Sequence, residues 1–340
     1  MITDDLLDIQ TASLRKKIVQ YRKVARKIEE YLTAHPFDWG RFQSDFNIEV
    51  NGIFRDIMNF EKQCLAKGDE SSVYKLKRLF VNHLRRYFHH GEYILHSVVK
   101  PFGYAGDFKI IDDIYQNSPK TSGFDRLYDN FFQSCTISVA VRNRKEDFKK
   151  FIISFVEKHP NQPIRIMDLA SGPCRDLKEL LSLDLIRERE VVFDCYEQDD
   201  HAIHYAEELI GNQSKVNFIK ENAVRLALKK DIEPLIKVKY DLIYSTGLFD
   251  YLDKRVSVRL VANLRKLIKI GGMMIVSDVR DKYKNPSVHF MEWGGEWNLV
   301  YRSDDEFKQI FLDAGFQEAD LDYGSEQQGV MQYIIATRNK

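Results

Sequence analysis

The chain has 340 residues, enough for one large or two ordinary domains, and its 51 Lys and Arg balance 51 Asp and Glu to a formal net charge of zero. That balance removes any global attraction to nucleic acid or anionic membrane, and no apolar run approaches the roughly 20 residues that span a bilayer. The start, Met-Ile-Thr-Asp-Asp, is acidic and unlike a signal peptide, and the four cysteines (Cys64, Cys135, Cys174, Cys195) lie far apart with no metal spacing. A cytoplasmic, reduced protein is expected.

In chain order, residues 5–33 repeat apolar positions at helical spacing (Ile9, Leu14, Ile18, Tyr21, Val24, Ile28, Leu32) and stop before His35-Pro36. Further helices are expected at 39–66, 71–90 and 125–157, with breaks at Lys67-Gly68-Asp69 and Lys100-Pro101. The 71–91 segment carries Lys75, Lys77, Arg78, Arg85 and Arg86 with no acid before Glu92, while Leu76, Phe80, Leu84 and Phe88 recur every fourth position. It reads as an amphipathic helix with a solvated basic face; the sharper alternative is a contact with an acidic carrier protein, an anionic lipid or RNA. His83, His89, His90 and His96 lack a cysteine or carboxylate to complete a ligand set, so no metal is expected. The boundary falls near 135–145, giving a helical region 1–135 and a second domain 136–340.

From 164 onward strands alternate with helices, the pattern of a doubly wound parallel sheet. Ile164 to Leu169 is a strand carrying Asp168 at its end. The turn runs through Ala170, Ser171 and Gly172, and a helix opens from Asp176 to Leu183. The turn has neither the third glycine of a dinucleotide fingerprint nor the Lys-Ser/Thr of a nucleotide-phosphate loop. A ligand without a pyrophosphate suits it, and S-adenosylmethionine (SAM) is one. The second strand, Val191 to Tyr196, ends in Glu197-Gln198-Asp199, where an acid can accept both hydroxyls of a ribose. The third, Val216 to Ile219, ends in Glu221-Asn222-Ala223, where an amide can pair with an adenine edge. The fourth, Tyr240 to Tyr244, runs into Ser245-Thr246-Gly247. The fifth is Met273 to Ser277, and 316–323 and 330–337 read as two antiparallel strands closing the sheet. Each tip alone reads as a helix cap or turn; four in this order read as one cofactor pocket.

With these motifs in place the chain resembles a class I SAM-dependent methyltransferase, with a seven-stranded, mostly parallel Rossmann-like sheet, a helical N-terminal domain and a C-terminal antiparallel hairpin. More narrowly it is similar to the family annotated for extracellular-factor synthesis, which esterifies 3-hydroxypalmitic acid. The resemblance covers roughly 95–337 and rests on Lys100-Pro-Phe-Gly-Tyr-Ala-Gly-Asp107, Ala140-Val-Arg-Asn-Arg144, Asp168-Leu-Ala-Ser-Gly-Pro173, Gly247-Leu-Phe-Asp-Tyr-Leu252, and Met291-Glu-Trp293 with Trp297-Asn-Leu-Val-Tyr-Arg302. It implies SAM as cofactor and a hydroxylated fatty-acid carboxylate as acceptor. Two departures stand out: Ala170 replaces a glycine, which is tolerable if its φ is negative, and Glu197 stands where a shorter Asp is frequent.

Methyl transfer needs an acceptor in line with the sulfonium and a base only where the acceptor is protonated. Tyr104 and Asp107, in a loop with Gly103 and Gly106, line the cofactor or acceptor site or form a glycine-supported domain joint. Arg144 binds the methionine carboxylate or makes a surface ion pair. Asp250, with Tyr251, faces the methyl or caps the next helix. Glu292, Trp293, Trp297, Tyr301 and Arg302 hold the sulfonium or an acyl chain, with Arg302 forked onto a carboxylate, or are core. The helical part would be a lid or substrate wall. Rival readings are O- or N-methylation of another metabolite, and a SAM-binding regulator without turnover.

Overall fold

The computed structural model describes residues 2–284 and 286–339, with the side chains of 2–6, 284 and 286 outside that description. The chain forms two units: Met1–Val139 with Lys282–Asn298, and Ala140–Asp281 with Leu299–Lys340. The segment 282–298, expected within the sheet-bearing half, thus belongs to the helical unit. Its buried rings explain this: Phe290 lies edge-on to Phe54 and Phe131, and Trp293 to Phe80.

The helical unit contains α1 (Ile2–Ala34), α2 (Gln43–Ala66), α3 (Glu70–Leu79), α4 (Glu92–Val99), α5 (Phe108–Gln116) and α6 (Gly123–Ser134). The apolar stripe of α1 buries Leu14, Ile18, Tyr21, Ile28 and Leu32, while Ile9 and Val24 are exposed. The single helix expected over 71–90 is three pieces: α3 passes into a π turn at Phe80–Leu84 and a 3₁₀ turn at Arg85–Phe88. This change of winding lets Phe80 and Phe88 both be fully buried and stack 5.8 Å apart. The basic face is partly engaged. Arg85 pairs with Glu296 and Lys77 donates to Asn298, whereas Lys75, Arg78 and Arg86 are exposed. The helix expected over 125–157 breaks at Cys135, whose ψ of 141° leaves helical space and separates α6 from α7 (Thr136–Lys158). Among the described residues no helix is long and apolar enough to cross a membrane.

The second unit is a seven-stranded sheet in the order β3-β2-β1-β4-β5-β7-β6. The strands are β1 (Ile164–Leu169), β2 (Val191–Glu197), β3 (Val216–Lys220), β4 (Tyr240–Ser245), β5 (Ile268–Val279), β6 (Leu321–Ser325) and β7 (Met331–Thr337). The first five are parallel, and β7 runs antiparallel to both β5 and β6. The expected sheet and closing hairpin are therefore present. β6 starts later than expected because Phe316 is buried in the core and a 3₁₀ turn occupies Glu318–Asp320. Apolar side chains of β1 and β4 are buried along their length, as strands covered on both faces require. On one face α11 (Ala223–Leu228), α12 (Lys254–Leu267) and α14 (Asp304–Asp313) share a core with Leu169, Ile243 and Ile334. On the other, Phe148 of α7 packs edge-on to Tyr333 of β7 at 5.4 Å.

Within the helical unit Glu61 of α2 anchors the 282–298 segment. Its carboxylate accepts from Tyr283 Oη at 3.0 Å and His289 Nε2 at 3.2 Å, and pairs with Lys282 at 2.5 Å, which also reaches Glu292. Burial opposes ionisation of Glu61, but His289 and Lys282 outweigh it and hold the carboxyl at about 2, against an ordinary 4.5. A depressed carboxyl adds stability above its unfolded pKa and loses it as pH falls through the folded one. Glu61→Gln should therefore be less stable than wild type at neutral pH, and the gap should close between pH about 4.5 and 2. Denaturant titrations across that range test this; a gap independent of pH would contradict it.

Candidate cofactor site at the carboxyl end of the sheet

β1 has a parallel neighbour on each side, so its carboxyl end is the switch point where an open α/β sheet forms a crevice. The chain leaves β1 through a turn of unusual backbone. Ala170 (φ +56°), Gly172 (φ +54°) and Cys174 (φ +53°) all lie in the left-handed region. Ala170 therefore does not meet the condition of a negative φ under which it could replace a glycine without strain. The turn holds it there because the N–H groups of Ala170 and Ser171 both donate to the Tyr196 carbonyl, at 2.8 and 3.3 Å. A β-carbon in this region costs roughly 1–2 kcal/mol. At Gly172 a β-carbon would find no atom within 4 Å, so the backbone there faces open space.

Glu197, at the end of β2, is the best-held acid of the site. Its Oε2 accepts from Gly172 N at 3.0 Å, and its Oε1 accepts from Gln198 N at 2.7 Å and Asp199 N at 3.0 Å. The three N–H groups fix the carboxylate, whose further lone pairs suit a diol. Asn222, after β3, uses Oδ1 to cap α11 through Arg225 N at 2.9 Å, while its Nδ2 donates to Gln198 Oε1. Gln198 and Asn222 thus form one amide pair, beside a buried Ala223.

Asp168 is buried, and burial together with Asp176 and Glu197 raises its pKa well above the carboxylate range, against a hydrogen bond from Tyr244. Its Oδ2 and the Ser171 Oγ are buried without hydrogen-bond partners. Asp176, in the first turn of α8 (Arg175–Leu181), is also buried; burial raises its pKa, and Tyr244 Oη donates to it at 3.4 Å. Sequence reasoning missed Asp176, which looks like an ordinary first-turn helix acid.

The β4 tip is more structural. Ser245 Oγ donates to Leu169 O at 2.8 Å, tying β4 to β1, and the Thr246 carbonyl accepts from Ser277 Oγ at 2.6 Å. A β-carbon on Gly247 would come within 3.2 Å of an Arg144 Nη, so a glycine there lets the guanidinium approach the backbone. Arg144, on α7, is buried and reaches Asp250 Oδ2 at 3.4 Å. Asp250 Oδ1 accepts from Val279 N at 2.9 Å; burial raises its pKa, with Arg144 opposing. Of the two readings of Arg144, an exposed surface pair is the one the burial excludes.

Arg302 is placed otherwise than as an acceptor-binding cation. Its guanidinium is buried, pairs with Asp278 Oδ1 at 2.6 Å and donates to the carbonyls of Phe249, at 3.0 Å, and Leu252. These bonds tie β5 to the segment after β4 and leave the fork committed to the fold. Tyr301, half-buried, is also in this unit. Tyr104, Asp107 and Glu292 belong to the helical unit. There Asp107 is fully buried, caps α5 through Lys109 N (3.0 Å) and Ile110 N (3.1 Å), and accepts from His96 Nε2 at 2.7 Å. His96 carries no sequence signal beyond its type. Glu292 pairs with Lys282 at 3.1 Å, and Trp293 and Trp297 are buried as core.

No family model matches the sequence, and no curated protein does. Among solved structures the chain is similar to a possible exported protein from Bordetella parapertussis, at 18% identity and a TM-score of 0.56, over 73% of this chain and 86% of that one. It is also similar to the CMeT domain of the citrinin polyketide synthase, at 15% identity and a TM-score of 0.51, over 73% of this chain and 60% of that one. What these likenesses show is the fold: a doubly wound, Rossmann-like sheet with an antiparallel strand inserted near one edge.

Two variants separate the roles of these residues. Ala170→Gly should relieve the left-handed strain and, net of glycine's greater unfolded freedom, stabilise the protein by about 0.5–1 kcal/mol in thermal unfolding. Arg302→Ala leaves Asp278 buried without its cation and should cost about 3–5 kcal/mol, read as a lower urea midpoint. A selective rise in KM with unchanged stability would instead restore Arg302 as an acceptor ligand.

Proposed function

We propose that the sheet unit binds SAM and that the protein is a SAM-dependent methyltransferase acting on a small molecule. The observation that carries this reading is the Glu197 carboxylate, fixed by three N–H groups beside the open backbone of Gly172. Adenosine with a cationic tail suits the donor set. Glu197 would take the ribose hydroxyls, and Gln198 and Asn222 the adenine edge. Ser171, with the buried acids Asp168 and Asp176, would hold the cationic methionyl end. SAM would supply a methyl group on a sulfonium, an electrophile with its leaving group built in. The residues of this chain bind, orient and exclude water around it.

For the acceptor, the resemblance to the extracellular-factor family supports a hydroxylated fatty-acid carboxylate, which is ionised at neutral pH and needs no base. Transfer to a hydroxyl or amine is the second reading; such an acceptor needs a base, which a carboxylate does not. The exposed Lys75, Arg78 and Arg86 allow a further contact with an acidic carrier or anionic lipid. A cytoplasmic location belongs to the same reading, with the four cysteines as buried thiols.

Calorimetric titration with S-adenosylhomocysteine tests the cofactor assignment. Glu197→Ala should weaken binding by about 10- to 150-fold, the cost of roughly 1.5–3 kcal/mol for a lost charged acceptor. Gly172→Val, with a branched side chain forced to a φ of +54°, should abolish it. Undiminished affinity in both would refute the assignment. Rates measured against pH then divide the acceptors: a fatty-acid carboxylate gives a profile flat above its own pKa. A hydroxyl or amine gives one that rises through a further pKa.

A further inference from the structure

The four cysteines show no metal spacing in the sequence, yet the fold brings two of them together with an acid. Parallel pairing of β1 and β2 sets Cys195 directly opposite Asp168. Cys174, left-handed at the start of α8, lies with its Sγ 3.7 Å from the Ser171 carbonyl. One carboxylate oxygen of Asp168 and the two sulfurs lie within 4.8 Å of one another. All three side chains are at least nine-tenths buried, at 2% exposure for Asp168 and 0% for each cysteine. Asp168 Oδ2 is a buried acceptor with no hydrogen-bond partner, an orphan that a close-packed interior rarely tolerates without a ligand or water.

Two sulfurs and one carboxylate are the donors of a soft or borderline cation. Calcium and magnesium need about six or more oxygens, which this cluster lacks. A tetrahedral ion with sulfur at about 2.3 Å sets two thiolates about 3.8 Å apart, within the observed spread. We propose that Asp168, Cys174 and Cys195 form a binding site for a thiophilic divalent cation of the zinc class. Three protein ligands leave the fourth tetrahedral position to an exchangeable ligand, as in zinc sites that are not closed. On binding, the two S–H bonds break, as does the O–H bond of Asp168 wherever its carboxyl is protonated, and these protons go to solvent. Two metal–sulfur bonds and one metal–oxygen bond form, and nothing is oxidised or reduced. The ion would bridge β1, the turn after it and β2.

The test uses full-length, reduced protein stripped with a chelator, given one equivalent of Zn²⁺ and desalted. X-ray absorption at the zinc edge should show two sulfurs at about 2.3 Å with lighter donors at about 2.0–2.2 Å. Cys195→Ser should reduce the sulfur count to one and weaken zinc binding at least tenfold, whereas Cys64→Ser and Cys135→Ser should leave the shell intact. Loss of zinc on desalting, a shell of oxygen and nitrogen alone, or an unchanged shell in Cys195→Ser would overturn the proposal. Should Cys195→Ser fail to fold, the wild-type shell and the two control variants decide. S-adenosylhomocysteine titration of the metal-free protein reads the cofactor assignment separately.

Discussion

Parallel pairing of β1 on both sides is the constraint from which the candidate site follows. With β2 on one side and β4 on the other, the strand order reverses direction at β1, and the carboxyl ends of these three parallel strands lie side by side there. The same pairing sets the register that puts Leu169 opposite Tyr196, whose carbonyl receives two N–H groups of the β1 turn. Backbone bonding at the switch point thus forces the left-handed turn, and the turn in turn presents Gly172 N to Glu197. Local strain at Ala170 is held by its surroundings rather than chosen by the residue.

Buried charge is distributed unequally across the sheet. At the end of β1 and in the first turn of α8, Asp168 and Asp176 are buried, and burial pushes both toward the neutral form, with Lys145 opposing it at Asp176. One step along, at β4 and β5, Asp250 and Asp278 are each matched by an arginine, Arg144 and Arg302. Unmatched acids favour a cationic ligand, because its charge would restore ionised carboxylates. Matched ones favour a fixed geometry, since a buried pair contributes little net stability but is costly to break. Burial raises the pKa of all four acids, so the buried arginines, and not the direction of the shift, mark the second pair as a brace.

The helical unit solves a different problem. It has no sheet to order its layers and relies on large rings, with Phe54 meeting Phe80, Phe88 and Phe290. Such rings bury much area and tolerate only a few orientations. The π turns at Phe80–Leu84 and Phe290–Gly294 adjust the helix phase so that successive rings point inward. The ion network on Glu61 fixes where the 282–298 segment joins this core.

The strands, their tips and the closing hairpin were legible in the sequence because each depends on short-range signals: apolar runs of strand length, small residues at the turn, an acid or amide directly after a strand. Glu197, Gly172 and Asn222 could be picked out because their positions follow from strand ends alone. What only the tertiary structure decided concerns residues whose partners lie far along the chain. Arg302 has the same look in sequence whether it binds an acceptor or, as here, Asp278 and two carbonyls some 50 residues away. The apolar pattern over 71–90 could not reveal the π turn, since a change of winding is forced by the rings it must pack against. The membership of 282–298 in the helical unit, and the meeting of Cys174 with Cys195, are set by long-range packing and strand register. Spacing along the chain carries no information on either.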